Sequence, residues 1–372
     1  MSTFSYKCPN CSAPLTFRPE LDKLKCDYCG SAFTIEEIDQ YIKDNPDKNI
    51  KEEVKNESEH HDHSHDTESH TDEGNHNTGE DSGHYKGYTC QNCGAEVVTS
   101  DTTLTTFCYY CHSPVVLTDR AQGDFKPDKI IPFKIDRKKA ENIFLLWAKN
   151  KRYVKKDFYS TSQLEKITGM YLPYWALNSK YSIDVKGTGY KKSTYRRGDT
   201  EYTDTSSYNI NRQGDFQVSN LSEIAYTKVD KPLLDSITPY KFEDAVDFKI
   251  FYMNGFFSET YDKKYSDVES NLIMEADKIV RNSVKGQLSE YNNYNLDVET
   301  YDPIESDHNY LLLPTWMMTY DYNGKKYIYA LNGQTGKAYG ELPIDNKLII
   351  RDAIIIGIIV FILGILGGKY IW

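Results

Sequence analysis

The chain has 372 residues, eight cysteines and a formal net charge of −11 at pH 7. This length predicts two or three domains. Residues 44–85 hold thirteen acidic side chains and three lysines, so nearly all of the net negative charge lies in one segment. The remainder is close to neutral and lacks the basic character of a dedicated nucleic-acid-binding protein.

Two copies of a four-cysteine pattern account for all eight cysteines. In each copy a CxxC pair is followed, after fourteen residues, by a second CxxC pair. This arrangement is typical of a tetrahedral structural zinc site. A thiol–disulfide relay is the alternative, because CxxC also marks redox sites, but two fully paired copies favour zinc. The predicted ligands of the two Zn²⁺ ions are Cys8, Cys11, Cys26 and Cys29, and Cys90, Cys93, Cys108 and Cys111.

The first zinc ribbon and a short helix after it are predicted to occupy residues 1–43. The sequence TIEE at residues 34–37 has the form of a helix-capping box, and Ile35, Ile38 and Ile42 are spaced as one helix face. The start of the chain has no apolar stretch typical of a secretory signal. Thiolate zinc sites also suit a reducing compartment, so we expect most of the chain in the cytoplasm.

The acidic segment at residues 44–85 is predicted to be a disordered linker. Its apolar content is too low to offset the entropy lost on ordering. Such a tract can also bind metal weakly, so metal buffering stands as an alternative to a solvated linker. The segment contains seven of the nine histidines: His60, His61, His63, His65, His70, His76 and His84.

The second ribbon is predicted at residues 86–121 and an α+β domain at residues 122–347. Asp136 is suited to cap a helix with Ala140, Ile143, Phe144 and Trp147 on its buried face. The densest basic cluster follows this helix. It is either a contact patch for an anionic bilayer or a solvated face, and it consists of Lys149, Lys151, Arg152, Lys155 and Lys156.

Antiparallel strands are predicted over residues 170–229, where apolar and polar residues alternate. The sequences GTG at residues 187–189 and RGD at residues 197–199 are predicted turns. A helix is expected to begin at Ser266, to bury the face that includes Ile273, Ala276 and Val280, and to end near Gly286.

The dipeptide Asn323-Gly324 predicts a β-hairpin, because Asn-Gly is the strongest two-residue turn signal. The implied register pairs Tyr320 with Tyr327, Met318 with Tyr329 and Trp316 with Leu331. The aromatic face of this hairpin requires cover from a helix.

The C-terminal part contains sixteen consecutive residues, 353–368, without a charged or polar side chain. We predict a membrane anchor at residues 348–372, and a buried core helix is the alternative. Lys347 and Arg351 precede the apolar run, so the positive-inside tendency predicts that the bulk of the chain faces the cytoplasm. The predicted fold class is therefore α+β: two small zinc ribbons, a sheet-rich domain with packed helices, and one transmembrane helix.

The sequence motifs predict no enzyme and no small-molecule substrate. The stretch LNGQTGKA at residues 331–338 resembles a phosphate-binding loop, but Leu331 replaces the first glycine and Ala338 the magnesium-binding hydroxyl. No dinucleotide, zinc-protease or nucleophile-elbow motif occurs. Without a catalytic motif, the ribbons are expected to present side chains to a partner. The exposed residues between the two cysteines of a CxxC pair, here called the knuckle residues, are uncharged, which favours a protein partner over a nucleic-acid phosphate backbone. These are Asn10, Tyr28, Asn92, Tyr109 and Tyr110.

Most of the chain outside the linker resembles the membrane-anchored tandem zinc-ribbon proteins of the YdjG type, found in Gram-positive bacteria. Some of these carry the labels TFIIB-type zinc ribbon or primosomal replication-helicase-like, although this chain has no motor motif. The resemblance rests on both ribbons and on five segments: IPF at 131–133, GMYLPYW at 169–175, GFFSETYD at 255–262, LPTW at 313–316 and LNGQTGK at 331–337. The long acidic insert between the ribbons is a departure from the family pattern.

The resemblance implies a non-enzymatic membrane protein of an envelope-stress assembly, with phage-shock-type scaffold and SPFH-type proteins as partners. The expected function is therefore a membrane-anchored adaptor that recruits cytosolic proteins. The alternative is a membrane-tethered nucleic-acid-binding protein that uses the basic cluster after residue 148.

Overall fold

The computed structural model describes residues 3–45, 85–90, 92–117, 120, 121, 123, 125–154, 164, 166–322 and 324–371. The predicted linker and its seven histidines lie almost entirely outside these residues. The chain forms two compact units. Unit 1 comprises Met1–Lys126 and Met253–Ser258, and unit 2 comprises Pro127–Tyr252 and Glu259–Trp372. The predicted α+β class is confirmed, because mainly antiparallel sheets combine with five α-helices in the described residues.

Unit 1 contains the short strands around both cysteine sites. The strands are β1 (Thr3–Phe4), β2 (Leu15–Arg18), β3 (Lys23–Cys26), β4 (Ala32–Phe33), β5 (Tyr85–Thr89), β6 (Glu96–Ser100), β7 (Thr103–Phe107) and β8 (Pro114–Leu117). Strands β2, β3 and β4 form one antiparallel sheet, β5 pairs with β6, and β7 pairs with β8. Helix α1 (Ile35–Asp44) begins with the predicted capping box, in which Thr34 and Glu37 bond each other's backbone N–H groups.

Two features connect the cysteine sites within unit 1. Strand β1, which precedes the first site, pairs antiparallel with β8 of the second site. The segment Met253–Ser258 also reaches both: the N–H of Phe17 donates to the carbonyl of Asn254 at 2.7 Å, and Thr105 Oγ1 donates to the carbonyl of Phe256 at 2.7 Å. The sequence pattern indicated neither connection, because both join segments that are distant along the chain.

Unit 2 is built on three unusually long strands. Strand β10 (Thr168–Arg197) lies between β11 (Thr200–Ile224) and β14 (Asn293–Tyr322), antiparallel to both. Arg197 pairs with Thr200, so Gly198 and Asp199 form the predicted two-residue turn, with φ of 66° at Gly198. At about 3.3 Å per residue, β10 is on the order of 95 Å long.

The predicted turn at residues 187–189 is wrong, because these residues continue β10. A Cβ at Gly187 would lie 2.1 Å from the carbonyl oxygen of Asn295, where the pairing with β14 shifts register. A Cβ at Gly189 would lie 2.5 Å from the ring of Tyr291. The glycines therefore permit close approach within a strand and do not reverse the chain.

A long helix, α4 (Tyr265–Leu288), covers the middle of these strands. It packs against strand residues that include Tyr181, Val185 and Ile210. The prediction is corrected in three respects. The helix begins at Tyr265 and not at Ser266, because Asp267 accepts from the backbone N–H of Lys264. Leu272 is buried whereas Ile273 is 42% exposed, and the helix continues two residues past Gly286. The complete buried face is Val268, Leu272, Ala276, Val280, Val284 and Leu288.

The predicted hairpin is confirmed in its register. Strand β15 (Lys325–Asn332) pairs with β14 so that Tyr320 lies opposite Tyr327 and Met318 opposite Tyr329. Helix α2 (Arg137–Lys149), capped by Asp136 as predicted, covers the aromatic face. Its Phe144 ring lies 5.0 Å from that of Tyr329. Asn323, the first turn residue, lies outside the described residues.

Smaller elements complete unit 2. Strand β16 (Ala338–Gly340) adds to β15, β9 (Lys129–Ile130) adds to β14, and β12 (Val246–Asp247) adds to β9. Helix α3 (Lys231–Ser236) packs its Leu233 and Leu234 into the core. The chain forms β13 (Phe257–Glu259) where the sequence passes from unit 1 to unit 2. The last element is the 26-residue helix α5 (Asn346–Ile371), the one described helix that is long and apolar enough to cross a membrane.

Candidate metal centres

The four CxxC pairs adopt one repeated backbone conformation. In each pair the N–H of the residue after the second cysteine donates to the carbonyl of the first cysteine, at 2.8–3.0 Å. That residue has positive φ in every copy: 60° at Ser12, 77° at Gly30, 74° at Gly94 and 55° at His112. The turn directs both thiols of a pair to the same side. His112 therefore shapes the turn.

The eight thiols meet in two groups of four, as the spacing predicted. The sulfur atoms of Cys8, Cys11, Cys26 and Cys29 all lie within 4.8 Å of one another, and so do those of Cys90, Cys93, Cys108 and Cys111. The shortest sulfur–sulfur distances are 3.5 Å in the first group and 3.6 Å in the second. These distances are far longer than a disulfide bond of about 2.05 Å, and all eight cysteines are free.

The sulfur positions fit a tetrahedral metal ion. A zinc–sulfur bond of about 2.3 Å implies tetrahedron edges of about 3.8 Å, close to the observed separations. All four positions at each site are occupied by cysteine, which is the composition of a closed structural site and leaves no open position for a substrate. The two groups are therefore sites that could each hold one metal ion.

One serine beside each site was not identified from the sequence. Ser31 Oγ lies 3.3 Å from the Sγ atom of Cys29, and Ser113 Oγ lies 3.3 Å from that of Cys111. Hydrogen bonds from the side chain and backbone of Ser31 lower the pKa of Cys29 to about 6. The sequence does contain a pattern that could have identified these serines, because a serine stands two residues after the last cysteine in both copies.

Two asparagines that we expected to face a partner instead support the sites. Asn10 Nδ2 donates to Ser31 Oγ at 2.8 Å. At the second site, burial raises the pKa of Cys111, but hydrogen bonds from Asn92 and Ser113 outweigh this effect and lower the pKa to about 6. Such contacts orient the ligands and stabilise their thiolate form.

Burial divides the ligands of each site. Cys8, Cys26, Cys90 and Cys108 are buried, whereas Cys11, Cys29 and Cys93 are exposed and Cys111 is intermediate. Burial raises the pKa of Cys90 to about 12 and also raises the pKa of Cys8. A buried thiol with a raised pKa ionises readily only beside a cation, so metal binding and thiolate formation are coupled.

The knuckle tyrosines are exposed, as the sequence predicted. The exposed fraction is 90% for Tyr28, 69% for Tyr109 and 74% for Tyr110. A tyrosine with most of its ring in water contributes little to the core of its own domain. These three side chains are therefore available for contacts with another molecule.

The predicted basic cluster belongs to unit 2 and contains none of the cysteine ligands. Lys149, Lys151 and Arg152 are exposed at the end of α2, whereas Lys155 and Lys156 lie outside the described residues. The one described histidine of unit 2, His308, stacks on the ring of Tyr265 with centroids 3.7 Å apart.

The fold and its sites define an α+β protein with two four-cysteine sites that could each hold a metal ion and one exposed, apolar C-terminal helix. The chain is similar to the uncharacterized protein YdjG of Bacillus subtilis (strain 168), with 28% identity over 342 residues, which cover 92% of this chain and 91% of YdjG. This similarity supports the predicted YdjG-type resemblance. No protein-family model matches the chain. No solved structure matches it.

Proposed function

We propose that the protein is a non-enzymatic adaptor, anchored in the membrane by α5, whose zinc ribbons recruit soluble proteins to the bilayer. The observation that carries this proposal is the combination, in one chain, of two closed four-cysteine sites and a helix whose side chains from Ala353 to Ile365 are all apolar and exposed. A closed site builds a rigid platform and performs no reaction. An exposed apolar helix of this length is explained by a bilayer around it.

Zinc is the proposed metal at both sites. Four thiolates in a tetrahedron suit Zn²⁺, and the other ion that favours this set is iron. Zinc has no redox chemistry, so it suits a site that only stabilises a fold. Metal analysis of the purified protein, with two zinc ions per chain as the expected result, distinguishes the two.

The exposed knuckle tyrosines are the proposed contact residues of the ribbons. Tyrosine is enriched at the centre of protein interfaces, because it buries a large ring at low entropic cost and keeps a polar end. Tyr28 belongs to the first site, and Tyr109 and Tyr110 belong to the second. Both ribbons therefore present the same chemistry to a partner.

The proposed setting is an envelope-stress assembly, with the globular units in the cytoplasm. The positive-inside tendency of Lys347 and Arg351 supports this orientation. The resemblance to YdjG-type proteins supports phage-shock-type scaffold and SPFH-type proteins as partners.

Co-purification from membranes tests the adaptor function. Tagged protein is extracted in mild detergent with nuclease present, and the bound proteins are identified. We expect a defined set of proteins that is lost in the triple variant Y28A/Y109A/Y110A. The matched control, Y195A/Y202A/Y339A, removes three other exposed tyrosines and should retain the set. Metal content verifies that the ribbons of both variants are folded.

Two results would contradict the proposal. A wild-type protein that retains no partner, but holds nucleic acid at low salt when nuclease is omitted, indicates the nucleic-acid-binding alternative. A partner set that survives in the first variant places the contact surface outside the knuckles.

A further inference from the structure

The junction between unit 2 and α5 brings two basic segments together. Residue Val154, just after α2, forms a β-bridge with Ile344, just before α5. The N–H of Asp345 donates to the carbonyl of Tyr153 at 2.7 Å. The end of α2 is therefore held beside the start of α5 by backbone contacts, although nearly 200 residues separate the two segments in the sequence.

Arg152 marks the level of this junction along α5. Its guanidinium lies 3.4 Å from the carboxylate of Asp352, which directly precedes the apolar run that begins at Ala353. At a rise of 1.5 Å per residue, Arg351 lies about 3 Å and Lys347 about 9 Å before Ala353 along the helix. That interval corresponds to the headgroup layer of a bilayer whose hydrocarbon core begins at Ala353.

Positive charge dominates this level. Five cationic side chains are exposed, and Asp345 and Asp352 are the carboxylates of the two joined segments. Among the described residues, Asp352 supplies the carboxylate of both ion pairs at the junction, one with Arg152 and one with Arg351. Lys149, Lys151 and Lys347 keep their charge available. The five cations, here called the basic collar, are Lys149, Lys151, Arg152, Lys347 and Arg351.

We propose that the basic collar binds the anionic headgroups of phospholipids in the leaflet that faces unit 2. This inference rests on the proposed membrane anchoring and extends it from insertion to lipid selection. Basic side chains next to a membrane helix attract anionic lipid, and the effect decays within a Debye length. Tyr153 contributes an aromatic ring at the same level, suited to the membrane interface.

The geometry favours lipid over nucleic acid as the phosphate source. The collar is attached to the anchor by the backbone contacts of Tyr153 and Val154, so lipid phosphates are present beside it at high effective concentration. A nucleic acid must approach the same groups within the plane of the headgroups.

Spin-labelled lipids test the proposal on the full chain. The protein is reconstituted in phosphatidylcholine bilayers with a trace of spin-labelled phosphatidylglycerol or, in a parallel sample, spin-labelled phosphatidylcholine. The fraction of motionally restricted label gives the relative association of each lipid. We expect about a fivefold preference for phosphatidylglycerol at low salt, the effect of about one fully engaged charge. The preference should largely disappear in about 1 M salt.

Matched variants assign the preference to the collar. K149Q/K151Q removes two cations without touching Asp352 and should lower the preference, and K149Q/K151Q/R152Q should lower it further. The control K192Q/R196Q/R197Q removes three exposed cations at the far end of β10 and should leave it unchanged. Tryptophan emission verifies that unit 2 is folded in each variant.

The outcomes separate this inference from the proposed anchoring. Protein that inserts in phosphatidylcholine but shows no preference for phosphatidylglycerol, or a preference that the collar variants retain, overturns lipid selection and leaves the anchor intact. Protein that does not insert overturns both. Salt-sensitive binding of a short single-stranded oligonucleotide that the triple variant loses, without a lipid preference, assigns the collar to nucleic acid.

Discussion

The residue after the second cysteine of each CxxC pair has positive φ, and the chain fills this position in two ways. Gly30 and Gly94 adopt the conformation without strain, whereas Ser12 and His112 adopt it with a side chain present. Left-handed backbone costs about 1–2 kcal/mol for a residue with a Cβ. Binding of the proposed metal would offset this cost at Ser12 and His112.

Gly94→Ala should weaken metal binding at the second site. A Cβ at Gly94 meets no atom within 4 Å, so the cost is conformational and not steric. About 1 kcal/mol corresponds to an approximately fivefold lower affinity, measurable by competition with a chromophoric chelator. The control Gly286→Ala makes the same chemical change inside α4, also with nothing within 4 Å. It should leave affinity unchanged and increase stability slightly. Equal affinity of the G94A and G286A variants would contradict the backbone argument.

Helix α4 shows how tertiary packing selects among neighbouring apolar residues. Leu272 and Ile273 are both apolar, and a period of 3.6 residues allows either to begin the buried face. The three long strands contact the face that includes Leu272, which is 2% exposed. The helical period was predictable, but the rotation of the helix about its axis was set by the sheet.

Leu272→Ala should destabilise unit 2 by about 2–4 kcal/mol, because it leaves a cavity between α4 and the long strands. Ile273→Ala should change the free energy of unfolding by less than about 1 kcal/mol, since Ile273 is 42% exposed. Denaturant unfolding, followed by tryptophan emission, measures both. Trp175 reports on this region because its ring lies 5.8 Å from that of Tyr265 at the start of α4. A larger loss for Ile273→Ala would favour the helix face expected from the sequence.

At the scale of the whole molecule, the two units are stabilised by different means. Unit 1 is made of short strands around two four-cysteine sites, and small sheets of this kind depend on a bound metal for folding. Unit 2 has two large apolar clusters and three strands of 25–30 residues. Their responses to metal removal should therefore differ.

Removal of metal with a strong chelator should unfold unit 1 and leave unit 2 folded. The four tryptophans report on unit 2 alone, because Trp147, Trp175, Trp316 and Trp372 all belong to it. Tryptophan emission should stay unchanged while all eight thiols become reactive toward a disulfide reagent. A shift in tryptophan emission at the same chelator concentration would show that unit 2 also requires metal.

Loss of one metal site should weaken the other. Strand β1 pairs with β8, and the segment Met253–Ser258 bonds to β2 and β7, so the sites share structure. We expect C8S/C11S to lower affinity at the second site about fivefold, a coupling of about 1 kcal/mol. Because the coupling between two binding sites is reciprocal, C90S/C93S should lower metal affinity at the first site by the same factor.

Asn254→Ala tests whether the segment Met253–Ser258 transmits the coupling between the two sites. Asn254 Nδ2 donates to the carbonyl of Leu15, and its loss should reduce the coupling while both sites stay loaded. Unchanged metal affinity in both cysteine variants would show that the two sites bind independently.

The sequence by itself determined the features that depend on local chemistry. The cysteine spacing predicted the two groups of thiols, and Asn323-Gly324 predicted the hairpin register. Thr34 and Asp136 predicted where two helices begin. Each of these features is specified by residues close together in the sequence. The C-terminal helix was equally predictable from sixteen unbroken apolar residues. The domain boundaries drawn at residues 43, 85, 121 and 347, and the adaptor function, stay predictions.

Only the tertiary structure decided which distant segments meet. The glycines at 187 and 189 signal a turn locally, but the approach of β14 and Tyr291 gives them a place inside a strand. The pairing of β1 with β8, and of Val154 with Ile344, leaves no local pattern, because each depends on contacts between residues more than a hundred positions apart. Such contacts form when the whole chain buries its apolar surface, and a short window of sequence does not contain that information.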